Sequence, residues 1–244
     1  MNDDRQDFLQ ERSKLVDAMA SDPAVSAANL ELLTTSDRHG YSYMWDWLGV
    51  PIIQMPADIV AMQELVWRTR PDVIVETGVA RGGSAILHSS LLRLLGNDGF
   101  VIAVDIDIRP HNREAIESHP LGGSVRLLEG SSVDEELLDQ IQAMLPADAR
   151  VMVVLDSDHT HSHVLQELNA YRRFVTQGMY MVVADTFVEE LPEQLHRPRG
   201  WGLGNNPCTA VDEFLAKTSE FNLDTSVAKK MLVSSSAAGY LLRA

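Results

Sequence analysis

The chain holds a single cysteine, Cys208, in 244 residues. An internal disulfide and a cysteine-only zinc site are thereby excluded, and a reducing, cytoplasmic setting is the expectation. Basic residues are scarce: 20 Lys and Arg stand against 35 Asp and Glu, for a net charge of −15. General affinity for nucleic acid or for an anionic membrane surface is not expected of such a chain, although a local basic site stays open. No apolar run approaches the roughly 20 residues of a membrane span. The first residues, MNDDRQDFLQ, are polar and acidic and do not read as a signal peptide. Against these absences, 45% of the residues are hydrophobic, enough for one large α/β domain or a domain with a small appendage.

Hydrophobic periodicity predicts an amphipathic helix over 4–20, with Phe8, Leu9, Leu15, Val16 and Met19 on one side. Pro23 follows it. Residues 30–55 read as irregular and rich in aromatics (Tyr41, Tyr43, Trp45, Trp47), so residues 1–55 are expected to form a helical and aromatic cap. The main domain is expected over 56–244. There, strands at 73–76, 100–105, 125–128, 151–155 and 180–184 alternate with helices at 57–69, 84–95, 110–121, 133–145 and 160–175. Ser132 stands where an N-cap would be. A Pro/Gly/Asn-rich stretch over 187–207 precedes a helix at 208–217, and two C-terminal strands, near 222–226 and 230–243, suggest an antiparallel hairpin. The alternation predicts an α/β, doubly wound, mostly parallel seven-stranded sheet with helices on both faces. Ligands would bind at the carboxyl ends of its strands.

The segment PDVIVETGVARGGS, Pro71 to Ser84, is the richest in chemistry. A strand ends in Glu76, a glycine turn follows, and a helix begins near Ser84, an arrangement suited to a nucleotide-like ligand. The next strand ends in Asp105, placed to meet ribose hydroxyls. From Gly78 the pattern is G-V-A-R-G-G rather than G-x-G-x-x-G. Glu76 would also repel a pyrophosphate. A carboxylate there suits a cationic ligand end, such as the amino group or sulfonium of S-adenosylmethionine (SAM), while a turn that only closes a strand–helix junction stays open. Glu76, Asp105, Asp156 and Asp185 all fall at strand ends. Four carboxylates on one rim repel one another unless cations separate them. A cationic cofactor at the first two and a divalent metal at the last two would satisfy all four.

Together the motifs VETGVARGGS, VDIDIRPHN, EGSS, LDSDHTHSHVLQEL, GMYMVVADT and GNNPCTAVDEFL resemble the cephalosporin hydroxylase / rhamnosyl O-methyltransferase family over roughly residues 35 to 225. The resemblance implies a Rossmann-like class I methyltransferase fold and SAM-dependent O-methylation of sugars or antibiotic scaffolds, commonly with magnesium. By it, Glu76, Gly78 and Arg81 to Ser84 (Gly82 included) would surround the methionine part of SAM. Asp105 would hold the ribose, with Ile106 beside the adenine and Ser131 and Ser132 flanking it. Asp156 would border the cofactor and, with Asp185 and Asp158, bind the metal. The antibiotic-tailoring member carries consecutive acids at the fifth strand end. This chain has Ala184-Asp185, which leaves Asp158 or Thr186 as a substitute.

The run from Asp156 to His163 also carries His159 and His161, so a metal-dependent hydrolase remains an alternative. A non-catalytic accessory protein on a SAM fold is another. Among these histidines, His159 lies closest to the acidic rim and is the candidate base, with Asp158 as the other. His161 and His163 read as structural. The loop with His196, Arg197, Arg199, Trp201 and Asn205-Asn206 reads as a substrate lid or a surface loop. In a lid, Trp201 would stack on a sugar face and the arginines would hold an anionic substituent. The expected partner is a small-molecule hydroxyl acceptor, with a homo-oligomer possible.

Overall fold

The computed structural model describes residues 4–194 and 196–244. In chain order its elements are α1 (Arg5–Ala20), α2 (Pro23–Asp37), β1 (Trp45–Trp47), β2 (Val50–Ile52), α3 (Pro56–Thr69) and β3 (Val73–Thr77). Next come α4 (Gly83–Leu94), β4 (Phe100–Asp105), α5 (Pro110–Glu117), β5 (Val125–Glu129), α6 (Glu135–Met144) and β6 (Val151–Leu155). The chain closes with α7 (His161–Tyr171), β7 (Tyr180–Val183), α8 (Pro207–Lys217), β8 (Phe221–Leu223), α9 (Thr225–Ala228) and β9 (Tyr240–Arg243). Among the described residues no helix is long and apolar enough to cross a membrane.

The seven-stranded sheet runs β5-β4-β3-β6-β7-β9-β8. β3 to β7 pair in parallel, and β9 is antiparallel to both β7 and β8. β3 and β6 are buried throughout because helices cover both faces of the sheet. Side chains alternate between two cores. Ile74, Ala103 and Val154 pack with α3 and α4, while Val75, Ile102 and Val153 pack with α6, α7 and α8. The strand order reverses at β3, which has β4 on one side and β6 on the other. A crevice opens at that switch point beyond the strand ends.

Four local features depart from the sequence expectation. Pro23 begins α2 rather than ending a helix: Asp22 Oδ1 accepts the Ala24 N–H at 2.8 Å and Pro23 takes the first helical position. Residues 45–52 are not irregular but form a hairpin, turning through Leu48 and Gly49, both at positive φ. Its Val50 and Ile52 enter the core beside α4, and Trp47 Nε1 donates to Ser90 Oγ at 3.0 Å. Asp134, not Ser132, caps α6, accepting from the Glu136 and Leu137 amides. Finally, β9 begins only at Tyr240. Ser234 and Ser235 ahead of it are tied to Asp58 by hydrogen bonds of 2.6 to 3.0 Å, which draws this stretch off the sheet.

Asn206 starts α8. It is fully buried, its Oδ1 accepts from the Cys208 and Thr209 amides, and its Nδ2 donates to Gly202 O and Glu189. Asn206→Ala removes the cap and strands half-buried partners, so the unfolding free energy should fall by about 2 kcal/mol. Urea unfolding checks this, and an unchanged midpoint would contradict the capping role.

Candidate active site

The site grows from the turn after β3. Gly78 has φ +93°, and a Cβ there would meet Asp156 O at 1.9 Å. Only glycine lets the β3 turn lie this close to the end of β6. The Val79 and Ala80 amides donate to Asp105 Oδ2 at 2.8 and 3.1 Å, so Asp105 braces the glycine turn from the tip of β4. Ile106, 71% exposed, stands next to it. Arg81 is exposed, Gly82 is buried, and Ser84 is half-buried in the first turn of α4.

Glu76 is fully buried beneath that turn, and neither carboxylate oxygen has a hydrogen-bond partner among the described residues. Its nearest cationic candidate is the equally buried His88, with Nδ1 3.6 Å from Oε2. Buried carboxylates are normally hydrogen-bonded, so this one is short of a cation or donors.

Beyond the turn, Asp156 at the end of β6, Asp185 at the end of β7 and His159 each bring one ligand atom within 4.8 Å of the others. His159 Nε2 lies 3.5 Å from Asp185 Oδ2. The Asp156 carboxyl is held well above the ordinary carboxylate range, by burial first and then by the charges of Asp185, Glu76 and Asp58. Asp58, in the first turn of α3, was not anticipated as part of this site. In sequence it reads as a helix-dipole acid. In the fold it accepts from Ser234, Ser235 and Tyr240 Oη beside the cavity. Burial raises its pKa against those hydrogen bonds.

The cavity lined by Asp58, Asp156, His159 and Asp185 measures about 280 Å³, and Arg197, Arg199 and Trp201 also line it. The Trp201 ring meets His159 edge-on, 4.9 Å between centroids. Asp37, at the end of α2, holds the 187–207 loop to the N-terminal segment: its carboxylate lies 2.9 Å from His196 Nε2, 3.7 Å from Arg197 and 4.0 Å from Arg199. Arg197 also donates to Tyr43 Oη and lies over that ring. No sequence signal marks Asp37, since its partners are far along the chain.

Other residues singled out in the sequence stand apart from this group. Asp158 is exposed, and its Oδ1 accepts from Thr160 N and Oγ1 at 2.7 and 2.6 Å. Burial raises its pKa, but those bonds and the nearby histidines outweigh it and the net shift is downward. Thr186 Oγ1 accepts from the Ala238 amide. Ser132 is buried against His163 at 3.1 Å, with Ser131 half-buried before it. His163 also meets Glu167, which raises its pKa. His161 bridges Thr209 and Glu213 on α8, joining two helices. Asn206, used up as a cap, presents nothing to the cavity. Burial pushes the Cys208 thiol up to about 11, which makes it a poor nucleophile.

The sequence pattern of the family described as rhamnosyl O-methyltransferase/CmcI matches residues 39–244. A rhamnosyl O-methyltransferase of Mycobacterium tuberculosis is 27% identical over 202 residues, covering 81% of this chain and 77% of the relative. One from Mycobacterium leprae is 24% identical over 210 residues, covering 83% and 86%. Among solved structures, CmcI with Mg and SAM aligns at a TM-score of 0.57 and 21% identity over 83% of this chain and 77% of that one. An O-methyltransferase from Bacillus cereus in complex with SAH aligns at 0.53 and 15%, covering 87% of each. These likenesses establish the Rossmann-like class I methyltransferase fold.

The raised Asp156 pKa sets a pH dependence. The unfolded chain ionises Asp156 near the ordinary value of about 3.9. The native state keeps the proton to higher pH, so stability is fullest below that value and falls as pH rises through the native one. Asp156→Asn should therefore raise the melting temperature of the metal-free protein at pH 7.5, with little effect below pH 4. A lower melting temperature for the variant at pH 7.5 would contradict this.

Proposed function

The chain belongs to the rhamnosyl O-methyltransferase/CmcI family, and from that premise we propose that it is a SAM-dependent, magnesium-assisted O-methyltransferase whose acceptor is a hydroxyl of a sugar or glycosylated natural product. The observation that carries this reading is the acidic rim. A buried Glu76 without a hydrogen-bond partner and the Asp156/His159/Asp185 group sit at one switch point.

The donor set fits the two groups. Carboxylate oxygens with room for waters suit magnesium, and an unpaired buried carboxylate suits an ammonium or sulfonium. Glu76, Gly78 and Arg81 to Ser84 would hold the methionine end of SAM, and Asp105 with Ile106, Ser131 and Ser132 the adenosine. Asp156 and Asp185 would hold the metal, with waters completing its shell. When bound, SAM supplies an electrophilic methyl group, and the metal lowers the pKa of a coordinated hydroxyl.

This chain's own residues would then position and deprotonate. His159, whose Nε2 faces Asp185 Oδ2 at 3.5 Å and whose ring meets the Trp201 edge, would take the acceptor's proton on its other ring nitrogen as the hydroxyl is methylated. Trp201 and the cap would exclude water and align the acceptor, which supplies much of the rate. A zinc hydrolase built on the 156–163 run has less support, because His161 and His163 are committed to α8 and to Glu167.

Asp156→Ala and Asp185→Ala should each reduce turnover at least about 100-fold while leaving SAM affinity within a few-fold of wild type. His159→Ala should lose on the order of 10²–10⁴ in kcat. Methyl transfer to an acceptor panel, paired with SAM binding, checks both. Retained turnover in the aspartate variants would contradict the metal role.

A further inference from the structure

Arg199 is the least exposed of the three cations that face Asp37 from the 187–207 loop. Its side chain is 13% exposed, yet its nearest acidic oxygen, Asp37 Oδ1, is 4.0 Å away. It makes no hydrogen bond to another described residue. Asp37 is itself 11% exposed, and its short contact goes to His196 at 2.9 Å. One carboxylate thus faces two permanent guanidinium charges and an imidazole, and neither guanidinium reaches it at hydrogen-bonding distance. A guanidinium offers five N–H donors in a planar fork matched to a carboxylate or phosphate. Arg199 leaves that fork unanswered on a cavity wall. Burial first and then the neighbouring Arg197 push its pKa down, outweighing the charges of Asp37 and Asp185.

The position is as informative as the deficit. The Arg199 guanidinium lies 4.1 Å over the Trp201 ring, whose other contact is His159. A single aromatic ring therefore separates the unmatched cation from the base assigned above. In a chain of net charge −15, whose cavity floor is carboxylate, a cationic wall at this point is a local reversal of sign. Charge of that kind selects ligands more than it stabilises the fold.

Resting on the methyltransferase reading, we propose that the acceptor carries an anionic group, a carboxylate or a phosphate, which takes the Arg199 fork and draws Arg197 away from Asp37. Asp37 is then the internal stand-in for that anion. It holds the lid cations while the acceptor is away and competes with the acceptor's charge when it arrives.

The test is calorimetric binding of three sugars at one ionic strength: D-glucuronate, D-glucose 6-phosphate and neutral methyl α-D-glucopyranoside. At least one acid should bind about tenfold or more tightly than the neutral sugar, as hydrogen bonds to a charged group imply. Which acid does so identifies the anion. Arg199→Gln should abolish the preference, and Arg199→Lys, which keeps the charge but loses the fork, should retain part of it. Asp37→Asn should shift affinity the other way, strengthening the acid several-fold while leaving the neutral sugar unchanged. Opposite shifts from two neighbouring substitutions do not arise from simple loss of folding. Equal affinity for all three sugars, no binding of either acid, or a preference that survives Arg199→Gln would overturn the proposal. S-adenosylhomocysteine titrated into the same proteins separates the two readings. If it fails to bind while acid binding still depends on Arg199, the cofactor assignment falls and the anion site stands.

Discussion

Repulsion among carboxylates at the carboxyl ends of β3, β6 and β7 is the constraint on which the site depends. Asp156 is half-buried and feels the charges of Asp185, Glu76 and Asp58 at once. Burying such groups without counter-charges is costly, and a fold that retains them makes cations part of its stable state. The rest of the architecture brings this about. Parallel strands buried on both faces end together, the order reverses at β3, and Gly78 lets the turn approach Asp156 closely enough for one ligand set to span the rim.

The opposite wall carries the complementary charge. Arg197, Arg199 and His196 come from the lid, while Asp37 and Tyr43 come from the N-terminal segment. Lid and cap therefore hold one another over the cavity by ion pairs and a cation–π contact. Contacts of this kind are individually modest when partly exposed. The N-terminal segment is also joined to the main core through Val50 and Ile52.

Much of this was legible in the sequence because buried parallel strands appear as continuous apolar runs, and an acid at the end of such a run falls at the rim. Glu76, Asp105, Asp156 and Asp185 were found in that way. Asp58 and Asp37 were not, because their partners lie 176 and 159 residues away and only the tertiary fold joins them. Other misses had a local signal. Asn206-Pro207 with Thr209 three positions on is a capping box, and Asp22-Pro23 is a helix start. Leu48-Gly49 hid a hairpin turn because leucine is uncommon at positive φ. Ser132 resembled a cap but is drawn inward by His163, a contact 31 residues away.

The most direct measurement is calorimetric titration of SAM into wild-type protein and into Glu76→Gln, with magnesium and after chelation. The account predicts one site per chain for the wild type. It also predicts a loss of about tenfold or more in affinity for the variant, because a charged hydrogen-bond acceptor is removed from a buried site. Absence of SAM binding under every condition, or equal affinity in the two proteins, would contradict the central claim that Glu76 and its neighbouring acids exist to hold a cationic cofactor.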